Sequence, residues 1–290
     1  MPTTPSASRT AVLVCQGRAA ADGLIAPGRF ADPTAMRLLR ADEREPVDWV
    51  RAASAPKPWR QRVDYETVRA CAEMMVPRTV AIDDAVRDHH SSQVVILGAG
   101  LDGRAWRMPE LADRTVFEVD QPSSQRDKRE RAEGLPGTSP TFVAVDFGRD
   151  RLAEALAAAG HRSGEPTTWI WEGVVPYLTR AEVSTTVAAV ATCSAPHSRL
   201  VVNFQLPGKS LTLGRLVARL LMASTGRRSF WATEPWRSTW TPAAMTALLA
   251  RHGFTVTGDH DLLDTARALA LPIRSATSLA HSRVMVADRA

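Results

Sequence analysis

The chain is predicted to be an α/β protein built on a doubly wound, mostly parallel sheet of seven strands. Three observations carry that prediction. Short apolar runs at QVVILGAG, TVFEVDQ, TFVAVDF, TTWIWEG and RLVVNFQ alternate with segments of helical periodicity, the order that a parallel sheet with crossover helices requires. The first run closes in Gly98, Gly100 and Gly103, a G-x-G-x-x-G turn whose bare backbone lets a ligand approach and whose amides are expected to meet ligand oxygens. With 290 residues, 44% of them hydrophobic, the chain can bury the core such a sheet needs.

In chain order, residues 1–92 read as a helical preface. DYETVRACAEMMV places apolar residues at helical spacing up to Pro77, which is expected to break the helix before RTVAIDDAV restarts it. Residues 93–205 form the ligand-binding core. Within it Pro109 stops the helix after Gly103 early, and DRLAEALAAAG ends at Gly160. LTRAEVSTTVAAVATCS opens with a Thr179-x-x-Glu182 capping box and sets Val183, Val187 and Val190 on one face. Residues 206–240, helical and aromatic in character, are expected to be a lid, and residues 241–290 complete the sheet. TPAAMTALLARHGF is a helix with Thr241 as N-cap, Pro242 at its first position and Gly253 at its end, followed by the strand candidates GFTVTGDHD and SRVMVADR.

The net charge of +5 does not point to nucleic acid, because the cations are almost all arginine, with lysine only at 57, 128 and 209, and acids are interspersed among them. QRDKRERAE, at 125–133, alternates in sign and reads as a solvated helix surface. Cys15, Cys71 and Cys193 are odd in number and lack a C-x-x-C, so they are read as buried thiols rather than a disulfide or zinc site. The seven histidines show no metal spacing, and His89 and His90, at a helix end, are expected to complement its dipole. AVLVC is too short for a signal sequence or a membrane span. The expectation is a cytoplasmic protein, monomer or homodimer, without stable membrane insertion.

Ligands of open α/β sheets lie across the carboxyl ends of the strands, so the closing residues identify the ligand. Here they are acids: Glu118-Val119-Asp120-Gln121-Pro122, then Asp146-Phe147, then Glu172-Gly173. Asp120 suits the ribose of a nicotinamide dinucleotide and of S-adenosylmethionine (SAM) alike. Asp146 followed by Phe147 suits an adenine amino group and ring face, and Glu172 suits an ammonium, whereas the pyrophosphate and second nucleotide of a dinucleotide would meet that carboxylate. The glycine turn also lies about ninety residues into the chain and precedes only a short helix. SAM is the better fit.

Together, VVILGAGLDGRAWRM, VFEVDQP, AVDF and WIWEGVVPYL resemble the leucine carboxyl methyltransferase family, in particular its bacterial O-methyltransferases of polyketide and other natural-product pathways, over about residues 10–290. GAGLDGR departs from the family's commoner GAGLDSR only at Gly103, which creates the dinucleotide pattern. The resemblance implies the class I, Rossmann-like methyltransferase fold with its last strand antiparallel. It implies that Gly98, Ala99 and Gly100 line the methionine part of SAM, that Asp120 and neighbouring Gln121 hold the ribose, that Asp146 and Phe147 hold the adenine, and that Glu172 faces the methionine end. Arg78 matches the family arginine that pairs with the SAM carboxylate, though Asp83 and Asp84 lie within reach on its own helix, and Arg18 stands for a basic contact near the N-terminus.

A carboxylate acceptor, with a pKa of about 4, is ionised at neutral pH, whereas a phenol at about 10 needs a base. No histidine closes a strand at the expected cleft, which favours a small-molecule carboxylate and a methyl ester product. A phenol or hydroxyl, and a peptide C-terminal carboxylate, remain as alternative acceptors. A nicotinamide-dependent oxidoreductase and a SAM-binding protein without turnover are the competing classes. Arg237, among the aromatics Phe230, Trp231, Trp236 and Trp240, is expected to orient the acceptor or to stack on a tryptophan, with Tyr177 and Asn203 as neutral hydrogen-bond partners.

Overall fold

A computed structural model describes residues 8–146, 151–208 and 236–290. Phe147 and most of the expected lid, with Phe230 and Trp231, lie outside the described residues. The sheet has seven strands: β1 (Gln93–Leu97), β2 (Thr115–Asp120), β3 (Thr141–Ala144), β4 (Thr167–Trp171), β5 (Arg199–Gln205), β6 (Phe254–Asp261) and β7 (Ser282–Arg289). Their order is β3-β2-β1-β4-β5-β7-β6, with β1 to β5 parallel and β7 antiparallel to both of its neighbours. The chain leaves β1 toward β2 on one side and returns to β4 on the other, so a crevice opens at the carboxyl ends of β1 and β4.

Helices cover both faces, which is why every residue of the central strands β1 and β4 is buried. On one face Val95, Leu97, Phe117, Trp169, Trp171 and Phe204 pack with α7 (Leu152–Ala158), α8 (Arg180–Thr192) and α9 (Pro242–Arg251). On the other, Val94, Ile96, Val116, Ile170 and Val201 pack with α4 (Trp59–Arg87) and α10 (Leu262–Ala268). Ahead of α4, α1 (Arg9–Ala21), α2 (Ala35–Leu38) and α3 (Ala41–Arg51) build a third cluster in which Cys15, Leu38 and Val47 pack with Val68 and Val76 of α4. Among the described residues no helix is long and apolar enough to cross a membrane.

The capping box and the alignment of Val183, Val187 and Val190 are as expected: Glu182 N–H donates to Thr179 Oγ1 at 3.2 Å, Thr179 N–H donates to Glu182 Oε2 at 2.6 Å, and the three valines are fully buried. Thr241 caps α9 in the same way, accepting Ala244 N–H at 3.2 Å. Three local readings differ. Pro77 does not break its helix, and α4 runs through it as one helix of 29 residues. An interior proline costs about 3 kcal/mol, but Met75, Val76, Val80, Ile82 and Val86 are buried on both sides of it, and each buried side chain of this size contributes about 1.5–3 kcal/mol. QRDKRERAE is only partly solvated: on α6 (Pro122–Arg131), Gln125, Asp127 and Lys128 are buried, because the inner face of that helix meets polar partners rather than apolar ones. His89 does not serve a helix dipole. Its ring nitrogens lie 2.8 Å from Thr168 Oγ1 and 2.9 Å from His197 O, and burial holds its pKa low, favouring the neutral ring.

Gly103 has a packing reason. A Cβ there would lie 2.0 Å from Thr34 Oγ1, the hydroxyl that donates to Asp32 Oδ1 at 2.6 Å. The position has an ordinary φ of −106°, so the constraint is space and not backbone strain. Gly103→Ser is therefore expected to destabilise the protein by about 1–3 kcal/mol, as overpacking does. Thr34→Ala in the same chain should recover most of that loss in urea titrations, and additive losses in the double variant would show that the two sites do not share this space.

Candidate functional site

A cleft of about 540 Å³ lies at the carboxyl ends of β1, β2 and β4, with α1 as one wall. Arg18, Arg78, Gly98, Ala99, Gly100 and Asp120 line it, as do Gln121, Asp146, Glu172, Tyr177 and Arg237. Asn203 is not brought there. It is buried within the sheet, and its amide donates to Arg283 O at 2.9 Å and Ser282 Oγ at 3.2 Å, joining β5 to β7. A larger groove of about 730 Å³ between α4, β6 and α10 lies away from these strand ends, its walls carrying the surface pairs Arg29–Asp84 and Arg283–Asp259.

Contrary to expectation, the Gly98, Ala99, Gly100 and Asp102 amides of the glycine turn point inward and are not offered to a ligand. Gly98 N–H and Ala99 N–H both donate to Val119 O, at 2.7 and 3.1 Å, Gly100 N–H donates to Asp120 Oδ2 at 2.6 Å, and Asp102 N–H donates to Ala99 O at 2.8 Å. A pyrophosphate would find these donors occupied. It would also find no helix of useful length, since α5 (Arg104–Arg107) is a single turn followed by a 3₁₀ turn at Pro109–Leu111. What glycine supplies is close approach. Gly98 has φ +66°, and a Cβ there would lie 2.3 Å from Val174 Cγ2, in the turn that follows β4.

Asp120 is fixed from two sides, by Gly100 N–H on Oδ2 and by Gln121 N–H on Oδ1, each at 2.6 Å. Burial raises its pKa above the ordinary aspartate value, against the lowering by these two donors, by Lys128 and by Ser124. Glu172 is held by two arginines. Arg78 Nε donates to Oε1 and Arg104 Nη1 to Oε2, both at 2.7 Å, so the choice open to Arg78 falls to β4 and not to its own helix. The terminal nitrogens of Arg78 lie beside Gly173, 3.8 and 3.9 Å from where a Cβ would stand.

These contacts belong to a longer chain of alternating charges beneath the cleft. Arg18 Nε meets Asp32 Oδ2 at 2.8 Å; Arg107 reaches the same oxygen at 3.6 Å and Asp83 at 2.7 Å; Arg104 meets Asp83 at 2.7 Å, then Asp102, then Glu172. Four arginines (18, 78, 104, 107) balance four carboxylates (32, 83, 102, 172). Burial alone would raise the carboxyl pKa values, but the arginines outweigh it and hold Asp83, Asp102 and Glu172 below the ordinary range. Sequence reasoning assigned no role to Asp32, Asp102, Arg104 or Arg107, and offered Asp83 only to Arg78, whereas Asp83 pairs with Arg104 and Arg107. The signal was present in the L-D-G-R end of the quoted motif, two opposite charges inside a turn of small and apolar residues.

At the mouth, Tyr177 ends the 3₁₀ turn Val175–Tyr177, and Arg237 N–H donates to Pro176 O of that turn at 2.7 Å. The Arg237 side chain, 48% exposed, meets Glu182 Oε2 at 3.1 Å. Trp240 packs into the core and lies under Arg180, 4.5 Å from ring centroid to guanidinium carbon. Among the described residues lining the cleft there is no histidine, lysine or cysteine.

Residues 11–191 match the family model described as leucine carboxyl methyltransferase. A Mycobacteroides abscessus protein named provisionally as a SAM-dependent methyltransferase is 39% identical over 190 residues, 63% of this chain and 61% of that one. A Streptomyces coelicolor protein with the same provisional name is 33% identical over 256 residues, 84% of this chain and 81% of that one. The chain thus spans less than two thirds of the first relative and most of the second. Of the solved structures, one named provisionally as a methyltransferase from Thermobifida fusca superposes with a TM-score of 0.54 at 16% identity, covering 99% of this chain and 96% of that one, a likeness of fold.

The charge network predicts a pH dependence of stability with a definite sign. Carboxyls with lowered folded pKa values stabilise fully above their unfolded values of about 4 and lose that stabilisation as pH falls below them. The network's contribution to the urea midpoint of the wild type should hold from pH 7 to about 4.5 and then be lost, while buried Glu118, whose carboxyl burial pushes up to about 7, adds a rise of its own as pH falls through 7. Arg104→Met removes the partner of buried Asp102 and should cost about 3–5 kcal/mol. Its midpoint should rise more steeply than that of the wild type as pH drops from 7 toward 5, because an unpaired buried carboxyl has a raised pKa and is relieved by protonation. Parallel pH profiles for the two proteins would contradict this account.

Proposed function

The chain belongs to the leucine carboxyl methyltransferase family, and from that premise we propose that it transfers the methyl group of SAM to the carboxylate of a small aromatic or polyketide-like acid, giving a methyl ester. SAM, when bound, supplies an electrophilic methyl group on its sulfonium. The residues present fit it: a fixed acid, Asp120, closes β2 where a ribose would lie, a second acid is present at Asp146, and a close-packed turn whose Gly98, Ala99 and Gly100 amides are engaged takes the place of a pyrophosphate site. In this reading Asp120 and Gln121 hold the ribose, Asp146 and Phe147 hold the adenine, and the backbone of Gly98, Ala99 and Gly100 lets the methionine part lie close. Arg78 takes the cofactor carboxylate on its terminal nitrogens. Glu172 accepts the ammonium on lone pairs that its two arginines leave open. Arg18 acts at one remove, because its side chain is engaged with Asp32 and, at 2.5 Å, with Leu101 O.

The observation that carries the carboxylate acceptor is the mouth of the cleft. Its exposed cation, Arg237, already holds a carboxylate, that of Glu182, in a surface pair that water can exchange. The described lining residues include no histidine or lysine to act as base for a phenol, Asp120, Asp146 and Glu172 are given to the cofactor in this reading, and Glu182 is a poor base, since hydrogen bonds from Thr179 hold its pKa low. Arg237 therefore orients the acid and Tyr177 donates beside it, while the enzyme's work is alignment of an already ionised nucleophile. Asn203, tied to β7, has no part in this.

Incubation with labelled SAM and a panel of aromatic and polyketide-like acids and phenols should yield a product cleaved by mild alkali, formed at a rate flat from about pH 6 to 8. An alkali-stable ether, formed faster as a phenol ionises, would overturn the ester reading. Asp120→Ala should weaken S-adenosylhomocysteine (SAH) binding by about 10- to 100-fold, the loss of a charge-assisted contact; calorimetry that finds normal affinity would remove Asp120 from the site.

A further inference from the structure

Two residues below Asp120 on β2 lies an acid with no part in the site described so far. Glu118 shares a face of the strand with Asp120, since side chains two residues apart point the same way, and it is wholly buried. Desolvation and repulsion from Asp120 and Asp102 both oppose its ionisation. The compensating charge comes from α6. Lys128, 1% exposed, puts Nζ 2.5 Å from Glu118 Oε2 and 5.5 Å from the ring centroid of Trp106. Glu118 Oε1 has no hydrogen-bond partner among the described residues. Gln125, one turn earlier, donates to Glu118 O at 2.8 Å and Val143 O at 2.7 Å, which holds α6 at a fixed height over β2 and β3. Buried ion pairs commonly stabilise no better than apolar side chains of the same volume. The pair's position, directly beneath the acid that fixes the cofactor, asks for another explanation.

We propose that Lys128 is a positioning residue that keeps Asp120 ionised, and that Glu118 is the proton acceptor that shields Asp120 from acid. This rests on the reading of Asp120 as the ribose ligand. The groups that face Asp120 are Lys128 and the Ser124 hydroxyl from α6, Glu118 from its own strand, and, from the loop after β1, Gly100 N–H and Asp102, the last already paired with Arg104. Burial pushes the Glu118 carboxyl up to about 7, against the pull of Lys128. As pH falls, the proton therefore arrives first on Glu118. Lys128 then loses its counter-charge, and its full field falls on Asp120, which stays ionised and able to accept hydrogen bonds from a ribose.

The test is the affinity for SAH measured by calorimetry from pH 5 to 8.5 in the full chain and its variants. Lys128→Met should move the acid limb of binding up by about one pH unit, so that its affinity relative to wild type falls through the limb by at most about tenfold. Glu118→Gln keeps the cation and fixes the neutral form that Glu118 takes as pH falls, so it should leave the acid limb where the wild type has it. Lys128→Arg should restore the wild-type profile. Loosened packing would weaken binding equally at every pH, so a Lys128→Met profile parallel to that of the wild type, or a shifted limb in Glu118→Gln, overturns the proposal. Should Lys128→Met fail to fold, the double variant Glu118→Gln/Lys128→Met, which buries no unpaired charge, takes its place and should show the same upward shift, because it too lacks the cation. Asp120→Ala separates the two layers. Normal affinity in that variant refutes the ribose assignment, whereas lost affinity together with an unshifted Lys128→Met limb refutes only the role of the pair.

Discussion

One guanidinium, that of Arg104, holds the candidate site together. It bonds Asp83 from α4, Asp102 from the glycine turn and Glu172 from the end of β4, three segments that the chain brings from far apart. A planar fork with five donors suits that task as a lysine could not. The network is not a source of large net stability, because each charge had to leave water. Its value is uniqueness. With equal numbers of arginines and carboxylates, every shift of one element leaves some charge unpaired, so α1, α4, the turn and β4 can meet in only one way. The cleft inherits its shape from that constraint.

The same constraint explains why a dinucleotide-like pattern does not make a dinucleotide site here. In this chain the glycines serve packing: Gly98 lets the turn after β4 approach, and Gly103 leaves room for Thr34. The amides turn inward to Val119 O and to Asp120. Identical letters can thus encode an anion cradle or a tight corner, and the difference lies in where the N–H groups point, which letters do not record.

The sheet was legible because its signals are local and repeated: apolar runs of strand length, acids at their ends, and caps such as Thr179 and Thr241 at helix starts. Asp120, Asp146 and Glu172 were legible for the same reason, being strand ends. Signals that depend on a partner distant in sequence were not. Pro77 marks a break by its own chemistry, but burial on either side of it decides otherwise. In QRDKRERAE the alternation of charge is the pattern of a wet surface, and only the position of Glu118 under α6 turns Lys128 inward. Lysine usage held a clue, since a chain that takes arginine for nearly every cation kept lysine at 128. Asn203 was misplaced because a polar residue late in β5 reads as facing a ligand, whereas the antiparallel β7 beside it offers Ser282 and Arg283 O.

Glu182 closes the N-terminus of α8 and also neutralises Arg237. For the acceptor proposed, this makes binding an exchange of one carboxylate for another rather than the gain of a new ion pair. The Coulomb contribution largely cancels between the two states. Selection among acids then falls to the uncharged remainder of the molecule, so that shape and apolar contact rank the substrates while charge only admits them. A site of this kind is tolerant of the acid's pKa and exacting about its skeleton.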